Sequence, residues 1–400
     1  MPKRRKKRQN RFLYAIAREI CRAVSFFLFR RKLLQNDLKG KKGPFVVIAN
    51  HQAALDFVNL ITVTRTPLSF VISHSFYNTL PVKGYMDRIG VIPKQQFQTT
   101  LSDLHAMKNV CAEGGGLVIY PAGLMCEDGV DTPLPAATHK FLMWLGVDVY
   151  MAKTAGAYFA MPKWAKGARP GPTTMTVTKL FSAEDLKALP EEEIEKKVTE
   201  ALSFDAYREQ EVLRFRYKNG NSIEGLANVL TMCPHCKTDF SLTEKDKSTL
   251  LCTACGFEEK CDEYGFLHNE KGIGAEWRYV SDISRLIRDE IESRMESGAL
   301  SSLSLPSRIH MIDYKKKKFL PVGEAQVTLS ADGFTVKGTL CGEEKELHLP
   351  IVNFASLPIK AGSYFEIQNE KDIYRCYPED GRWVMTVIHM IHAYYKKNKK

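Results

Sequence analysis

The stretch Phe45-Val46-Val47-Ile48-Ala49-Asn50-His51-Gln52-Ala53-Ala54-Leu55-Asp56 decides how this chain is read. A continuous apolar run bounded by polar residues fits a strand buried on both faces, as in the sheet of an α/β domain. The run stops at Asn50-His51, and Asp56 follows five residues after the histidine. Open α/β sheets hold their ligands at the C-terminal ends of the strands. An imidazole there can take a proton from a hydroxyl, and a nearby carboxylate can fix its tautomer and stabilise the imidazolium. The spacing alone is weak, since roughly one His in twenty has such an Asp at ordinary Asp usage. Placement at a strand end is what gives it weight. No G-x-S-x-G elbow is present, so the base would act on the substrate's own hydroxyl.

Outward from that stretch, residues 36–225 read as one α/β domain. Residues 68–72, 117–120, 147–153 and 173–180 are further strands, and residues 53–62 suit a helix after the first. Leu101, Leu104, Lys108 and Cys111 share a helix face that Gly114-Gly115-Gly116 terminates. The 117–120 strand runs into Pro121-Ala122-Gly123. Ser182 caps a short helix, and residues 191–204 form a last, charged one. No internal repeat is apparent.

Before the domain, residues 3–8 are all Lys or Arg. Residues 1–35 then carry a helical stripe of Phe12, Leu13, Ile16, Ile20, Val24, Phe27 and Leu28, closed by Arg30, Arg31 and Lys32. A membrane-surface helix on anionic lipid is favoured by the Phe26-Phe27-Leu28-Phe29 cluster. The alternatives are a helix packed on the domain with a solvated basic tail, and a nucleic-acid arm. No stretch has the 18 or more apolar residues of a spanning helix, and no cleavable signal peptide pattern is evident.

After the domain, residues 228–268 carry Cys233-Pro-His-Cys236 and, fifteen residues on, Cys252-Thr-Ala-Cys255. Two matched CxxC knuckles read as a zinc ribbon with Cys233, Cys236, Cys252 and Cys255 as ligands of a structural Zn²⁺. A redox motif would need one CxxC at a helix start. A closed four-Cys shell has no open position for catalysis. Residues 275–318 read as a helical linker, and residues 319–400 as a β-rich domain ending in one amphipathic helix. Strands in series closed by a helix resemble the pleckstrin-homology-like fold.

Residues 36–208 resemble the glycerolipid acyltransferases, the family of 1-acylglycerol-phosphate acyltransferase. Its N-H-x4-D block is matched by Asn50, His51 and Asp56. Its second block is met by Gly90-Val91-Ile92-Pro93-Lys94, with Lys94 where Arg is usual. Its F-P-E-G-T-R block aligns with Tyr120-Pro121-Ala122-Gly123-Leu124-Met125, where Ala122 replaces the Glu and the Arg is absent. The fourth block is represented only by Val149-Tyr150-Met151-Ala152, without its prolines. The resemblance implies a mixed sheet with flanking helices. It also implies His51 as general base with Asp56 orienting it, and Asn50, Lys94, Tyr120 and Gly123 as substrate-binding residues. Acyl-CoA or acyl-carrier protein would be the donor and a lysophospholipid-like alcohol the acceptor. Ala122 cannot hydrogen-bond a hydroxyl, so an altered acceptor is expected.

The 400 residues are 44% hydrophobic with a net charge of +11. That excludes a disordered chain and suggests an anionic partner. Two function classes are compatible with it. One is an acyltransferase peripheral to the cytoplasmic face of a membrane. The other is a non-catalytic scaffold binding nucleic acid or membrane through the ribbon and basic tails. The ribbon mixes Lys237, Lys245, Lys247 and Lys260 with Asp239, Glu244, Asp246, Glu258 and Glu259. It has no dense Arg/aromatic stripe, which disfavours nucleic acid.

Overall fold

The computed structural model describes residues 9–96, 99–351, 354–369 and 372–398. The Lys/Arg run at residues 3–8 and the final two lysines lie outside the described residues. Two compact units are present. One comprises Met1–Gly123, Leu134–Ala157 and Pro172–Ser203; the other comprises Leu124–Pro133, Tyr158–Gly171 and Phe204–Lys400.

The first unit begins with α1 (Arg11–Val24) and a wider turn, Ser25–Phe29. Then come β1 (Lys32–Asn36), β2 (Phe45–Ala49), α2 (Asp56–Leu60), β3 (Leu68–Ser73), α3 (His74–Thr79) and α4 (Lys83–Arg88). β4 (Ile92–Lys94), α5 (Leu101–Ala112), β5 (Gly116–Ile119), α6 (Thr138–Leu145) and β6 (Asp148–Ala155) come next. After the short α7 (Ala157–Ala160), of which only Ala157 belongs to this unit, come β7 (Thr174–Phe181), α8 (Asp185–Ala188) and α9 (Glu191–Leu202). The seven strands form one sheet in the order β1-β7-β6-β2-β5-β3-β4. All pairs are parallel except β6 with β7. Five strands therefore deliver their C-terminal ends to one edge in the order β6, β2, β5, β3, β4.

β2 lies in the middle of this sheet, and all five of its residues are buried. Val46 and Ile48 point into a core with Leu117, Val149 and Met151, closed by Met107 and Cys111 of α5, Leu142 and Leu145 of α6, and Ile194, Val198 and Leu202 of α9. The α9 residues recur every fourth position, one helix face, while its glutamates stay outside. Phe45, Val47 and Ala49 alternate to the opposite face and are equally buried. Burying a Val, Ile or Phe side chain contributes about 1.5–3 kcal/mol, so β2 is a rigid platform for the turn at its C-terminal end.

α1 packs with the face that is not its apolar stripe. Tyr14, Ala17 and Cys21 are buried. Beyond them Ser25 Oγ meets Asn59 Oδ1 of α2 at 2.7 Å, and the Tyr85 hydroxyl donates to the Leu13 carbonyl. Most of the stripe faces outward, Phe12 and Phe27 being each 74% exposed, Ile20 59% and Ile16 40%, while Leu13, Val24 and Leu28 are half-buried. Among the described residues no helix is long and apolar enough to cross a membrane. β1 also corrects a boundary. Residues 32–36 are an edge strand beside β7, so the segment expected to end at residue 35 already contributes to the sheet.

The second unit holds α10 (Ala206–Leu213) and a four-stranded antiparallel sheet of β8 (Leu242–Glu244), β9 (Thr249–Cys252), β10 (Glu258–Cys261) and β11 (Leu267–Asn269). α11 (Val280–Glu296) comes next. A second antiparallel sheet is made of β12 (Leu303–Asp313), β13 (Lys318–Ser330), β14 (Gly333–Leu340), β15 (Glu343–Pro350), β16 (Ile359–Lys360), β17 (Tyr364–Gln368) and β18 (Ile373–Pro378). Its order is β15-β14-β13-β12-β18-β17-β16, and α12 (Trp383–Asn398) ends the chain. Strands in series closed by one helix are as expected, but the sheet starts earlier. The expected linker to residue 318 contains β12, which pairs with both β13 and β18.

Candidate active site

β2 ends at Ala49, and the chain turns sharply through His51 into α2. The turn is built on one buried carboxylate. Asp56 Oδ2 lies 3.0 Å from His51 Nδ1 and accepts the backbone N–H groups of Gln52 at 2.7 Å and Ala53 at 2.9 Å. Asp56 is only 1% exposed. A carboxylate at Nδ1 holds the proton on that nitrogen and leaves the lone pair on Nε2, the form a general base needs. The His51 side chain remains 21% exposed, so the base can be approached.

Tyr120 immediately follows β5, the strand beside β2. Its ring stacks on the His51 imidazole, with centroids 4.4 Å apart and planes 29° from parallel. Its hydroxyl is buried with no hydrogen-bond partner, as is Asp56 Oδ1. Burial first, and then the Asp56 charge, hold the Tyr120 phenol well above its ordinary pKa.

Lys94 ends β4, three strand spacings from β2. At about 4.8 Å per spacing that is about 14 Å, a distance an acceptor molecule can bridge but a hydrogen bond cannot. Burial lowers the Lys94 pKa, Asp103 partly offsetting it, and its ammonium donates to the Gln95 carbonyl. Two residues on, Gln96 Nε2 donates to the Gly123 carbonyl at 2.7 Å. That bond ties the β4 end to the loop after β5. Gly123 has φ +69°, and a Cβ there would meet nothing within 4 Å; the glycine serves the turn rather than a tight approach.

Asn50 differs from expectation. It is buried, its amide donates to the Thr154 carbonyl at 2.8 Å, and its oxygen accepts the Thr154 N–H at 2.9 Å. The side chain thus pairs with β6 as a strand backbone would, and it fixes the start of the His51 turn. His51, Asp56 and Tyr120 are brought together; Lys94 and Gly123 are joined through Gln96; Asn50 is committed behind them. Gln96 and the paired N–H groups of Gln52 and Ala53 escaped sequence reasoning. Neither a loop glutamine nor a backbone donor carries a residue-type signal.

In the second unit the four knuckle cysteines meet. Cys233 and Cys255 sulfurs are 3.8 Å apart, Cys236 and Cys252 sulfurs 3.7 Å, and all four lie within 4.8 Å of one another. Disulfide sulfurs would be about 2.05 Å apart. Zinc–sulfur bonds of about 2.3 Å give tetrahedral edges of about 3.8 Å, so the set can hold one metal ion. The knuckle is braced from outside: Lys237 pairs with Glu290 at 2.9 Å, Asp239 with Arg294 at 2.7 Å, and the Phe240 ring meets Trp383 at 4.7 Å.

Residues 30–150 match the acyltransferase family model. The chain thus carries an acyltransferase-type domain, and His51, Asp56, Lys94 and Tyr120 all fall inside the matched stretch. No curated protein matches the chain. Among solved structures, it is similar to the 1-acyl-sn-glycerophosphate (LPA) acyltransferase, PlsC, from Thermotoga maritima, at 16% identity and a TM-score of 0.41, over 47% of this chain and 76% of that one.

Proposed function

We propose that the protein moves a fatty acyl group from acyl-CoA or acyl-carrier protein to a hydroxyl of a lysophospholipid or related amphipathic acceptor. The observation that carries this is the His51–Asp56 pair at the end of β2, inside the stretch matched by the acyltransferase model. Nε2 of His51 takes the acceptor's hydroxyl proton as the oxygen attacks the thioester carbonyl. The tetrahedral adduct collapses, the C–S bond breaks, and the thiolate leaves with the proton from the imidazolium. Asp56 stabilises that imidazolium. A thioester is already activated, so positioning and one base can suffice.

Lys94 offers an ammonium to an anionic headgroup, a point charge in place of an arginine fork. Ala122 leaves the loop after Tyr120 without a carboxylate, which favours an acceptor held differently from the family's usual glycerol phosphate. Structural Zn²⁺ in the Cys233, Cys236, Cys252 and Cys255 set would fix the knuckle and its braces, away from any chemistry.

The acceptor's amphipathic class and the outward stripe of α1 together support work at a membrane surface, on its cytoplasmic face. Phe12, Ile16, Ile20 and Phe27 would enter the acyl boundary while Arg11, Arg22 and Arg30, all exposed, stay among headgroups. The scaffold alternative has less support. Ribbon cations that would face nucleic acid are paired instead, Lys245 and Lys271 with Glu258 and Lys237 with Glu290.

The test is transfer itself. Purified protein receives radiolabelled palmitoyl-CoA and, separately, lysophosphatidic acid, lysophosphatidylcholine, lysophosphatidylethanolamine and monoacylglycerol. A diacyl product with at least one acceptor is expected. No labelled lipid with any of them, nor with a total lipid extract, would refute the reading.

A further inference from the structure

Tyr120 stands where the family block carries a phenylalanine, and its hydroxyl is the difference. The phenol oxygen is buried in a site with no partner, and so is the second oxygen of the carboxylate that orients His51. A buried polar atom is costly to leave unpartnered. Two such atoms of opposite hydrogen-bonding character, one a donor and one an acceptor, flank one imidazole. The ring that carries the donor lies 4.4 Å from that imidazole. The Asp56 charge reaches the phenol strongly enough to count among the causes of its raised pKa. Catalytic hydrogen bonds are often long in a free enzyme and tighten when substrate binds.

We propose that Tyr120 is a positioning residue for His51: its ring fixes the imidazole plane, and its hydroxyl donates to Asp56 Oδ1 when substrate binds. Oδ2 is already used three times, by His51 Nδ1 and the two backbone N–H groups. A donor on Oδ1 would stop the carboxylate from rotating off the imidazole and would share its charge. The inference rests on the acyl-transfer reading for its kinetic consequence, but its structural content does not.

The sign follows from the charge. With the hydroxyl present, part of the Asp56 charge is spent on the phenol. Tyr120→Phe keeps the ring and returns that charge to the imidazolium. In the substrate-bound enzyme His51 then holds its proton to a higher pH, and the acid limb of the kcat profile moves up by about 0.5–1 pH unit. Tyr120→Leu removes the stack as well and lowers kcat about tenfold or more, with donor KM little changed. A residue that merely filled space would leave the pH profile of Tyr120→Phe in place.

The experiment has a second readout that needs no turnover. The protein has ten histidines; with ¹³C/¹⁵N-labelled histidine, the His51 signals are assigned by their loss in His51→Gln. Their titration is followed in the wild-type protein and in Tyr120→Phe, each saturated with a non-transferable thioether analogue of palmitoyl-CoA. A midpoint displaced to higher pH in Tyr120→Phe supports the inference, and a midpoint unmoved overturns it. Should the wild-type protein bind the analogue but transfer no acyl group, the acyl-transfer reading fails and the titration still decides the Tyr120 contact.

Discussion

Replacing Asp56 by asparagine separates the fold of the His51 turn from its chemistry. The amide has the shape of the carboxylate, and its oxygen can still accept the Gln52 and Ala53 N–H groups that Asp56 Oδ2 now holds at 2.7 and 2.9 Å. What disappears is the charge 3.0 Å from His51 Nδ1. A hydrogen bond to a charged group contributes about 1.5–3 kcal/mol against about 1 for a neutral one. Two unit charges about 4 Å apart interact by about 4 kcal/mol at an effective dielectric of 20. A loss of about 3–4 kcal/mol of imidazolium stabilisation in the transition state lowers kcat by about 10²–10³, at about 1.4 kcal/mol per tenfold. The rate is read as thiol released from palmitoyl-CoA in the presence of acceptor, and stability as the melting temperature by circular dichroism. Asp56→Asn is expected to lose the rate and to melt within a few degrees of wild type. Asp56→Ala gives up all three hydrogen bonds and is expected to lose both. If Asp56→Asn kept its rate within threefold, His51 would not be working as a base oriented by this carboxylate.

Lys94→Gln should raise KM for anionic acceptors about tenfold and leave neutral ones alone. Because burial lowers the Lys94 pKa, the wild-type preference for anionic acceptors should fade at alkaline pH below that of an ordinary lysine, as steady-state KM against pH would show. Changing Phe12, Ile16, Ile20 and Phe27 together to serine should abolish flotation with phosphatidylglycerol vesicles while melting changes little, because these side chains are exposed; undiminished flotation would count against α1 as the membrane contact. Glu259 is fully buried, and desolvation raises its pKa to about 7. The native state therefore holds this proton more tightly than the unfolded chain, and stability should fall as pH rises from about 4.5 to about 7. Glu259→Gln should flatten that fall and melt higher at pH 8; an unchanged slope would contradict the assignment. Metal analysis should find one zinc per chain, lost in Cys233→Ser, with Trp383 fluorescence altered as Phe240 is released.

Much of the first unit was readable because its strands are buried runs. β2, β3 and β5 announce themselves by apolar blocks that end in turn residues, and α9 by its four-residue period. β1 did not, because an edge strand with four of its five residues exposed carries no hydrophobic pattern. β12 hid for another reason. Leu303, Leu305, Ser307 and Ile309 alternate inward, but Pro306 and a serine at an inward position break the signal a strand should give. The His51–Asp56 contact was legible from a five-residue spacing at a strand end. The commitment of Asn50 to Thr154 and the stacking of Tyr120 on His51 were not. They join residues 104 and 69 positions apart, and only the packing of β2 between β5 and β6 decides them. The direction of the α1 stripe was likewise undecidable from periodicity, which shows that a helix has two faces and not which one meets the protein.

The central claim is that His51 is the base in acyl transfer, and one comparison tests it most directly. Wild type and His51→Ala are assayed side by side with saturating radiolabelled palmitoyl-CoA and the acceptor that gives most product, both proteins first shown to melt alike. The account predicts that labelled product falls by about 10³ or more in the variant. Equal product from the two proteins would contradict it.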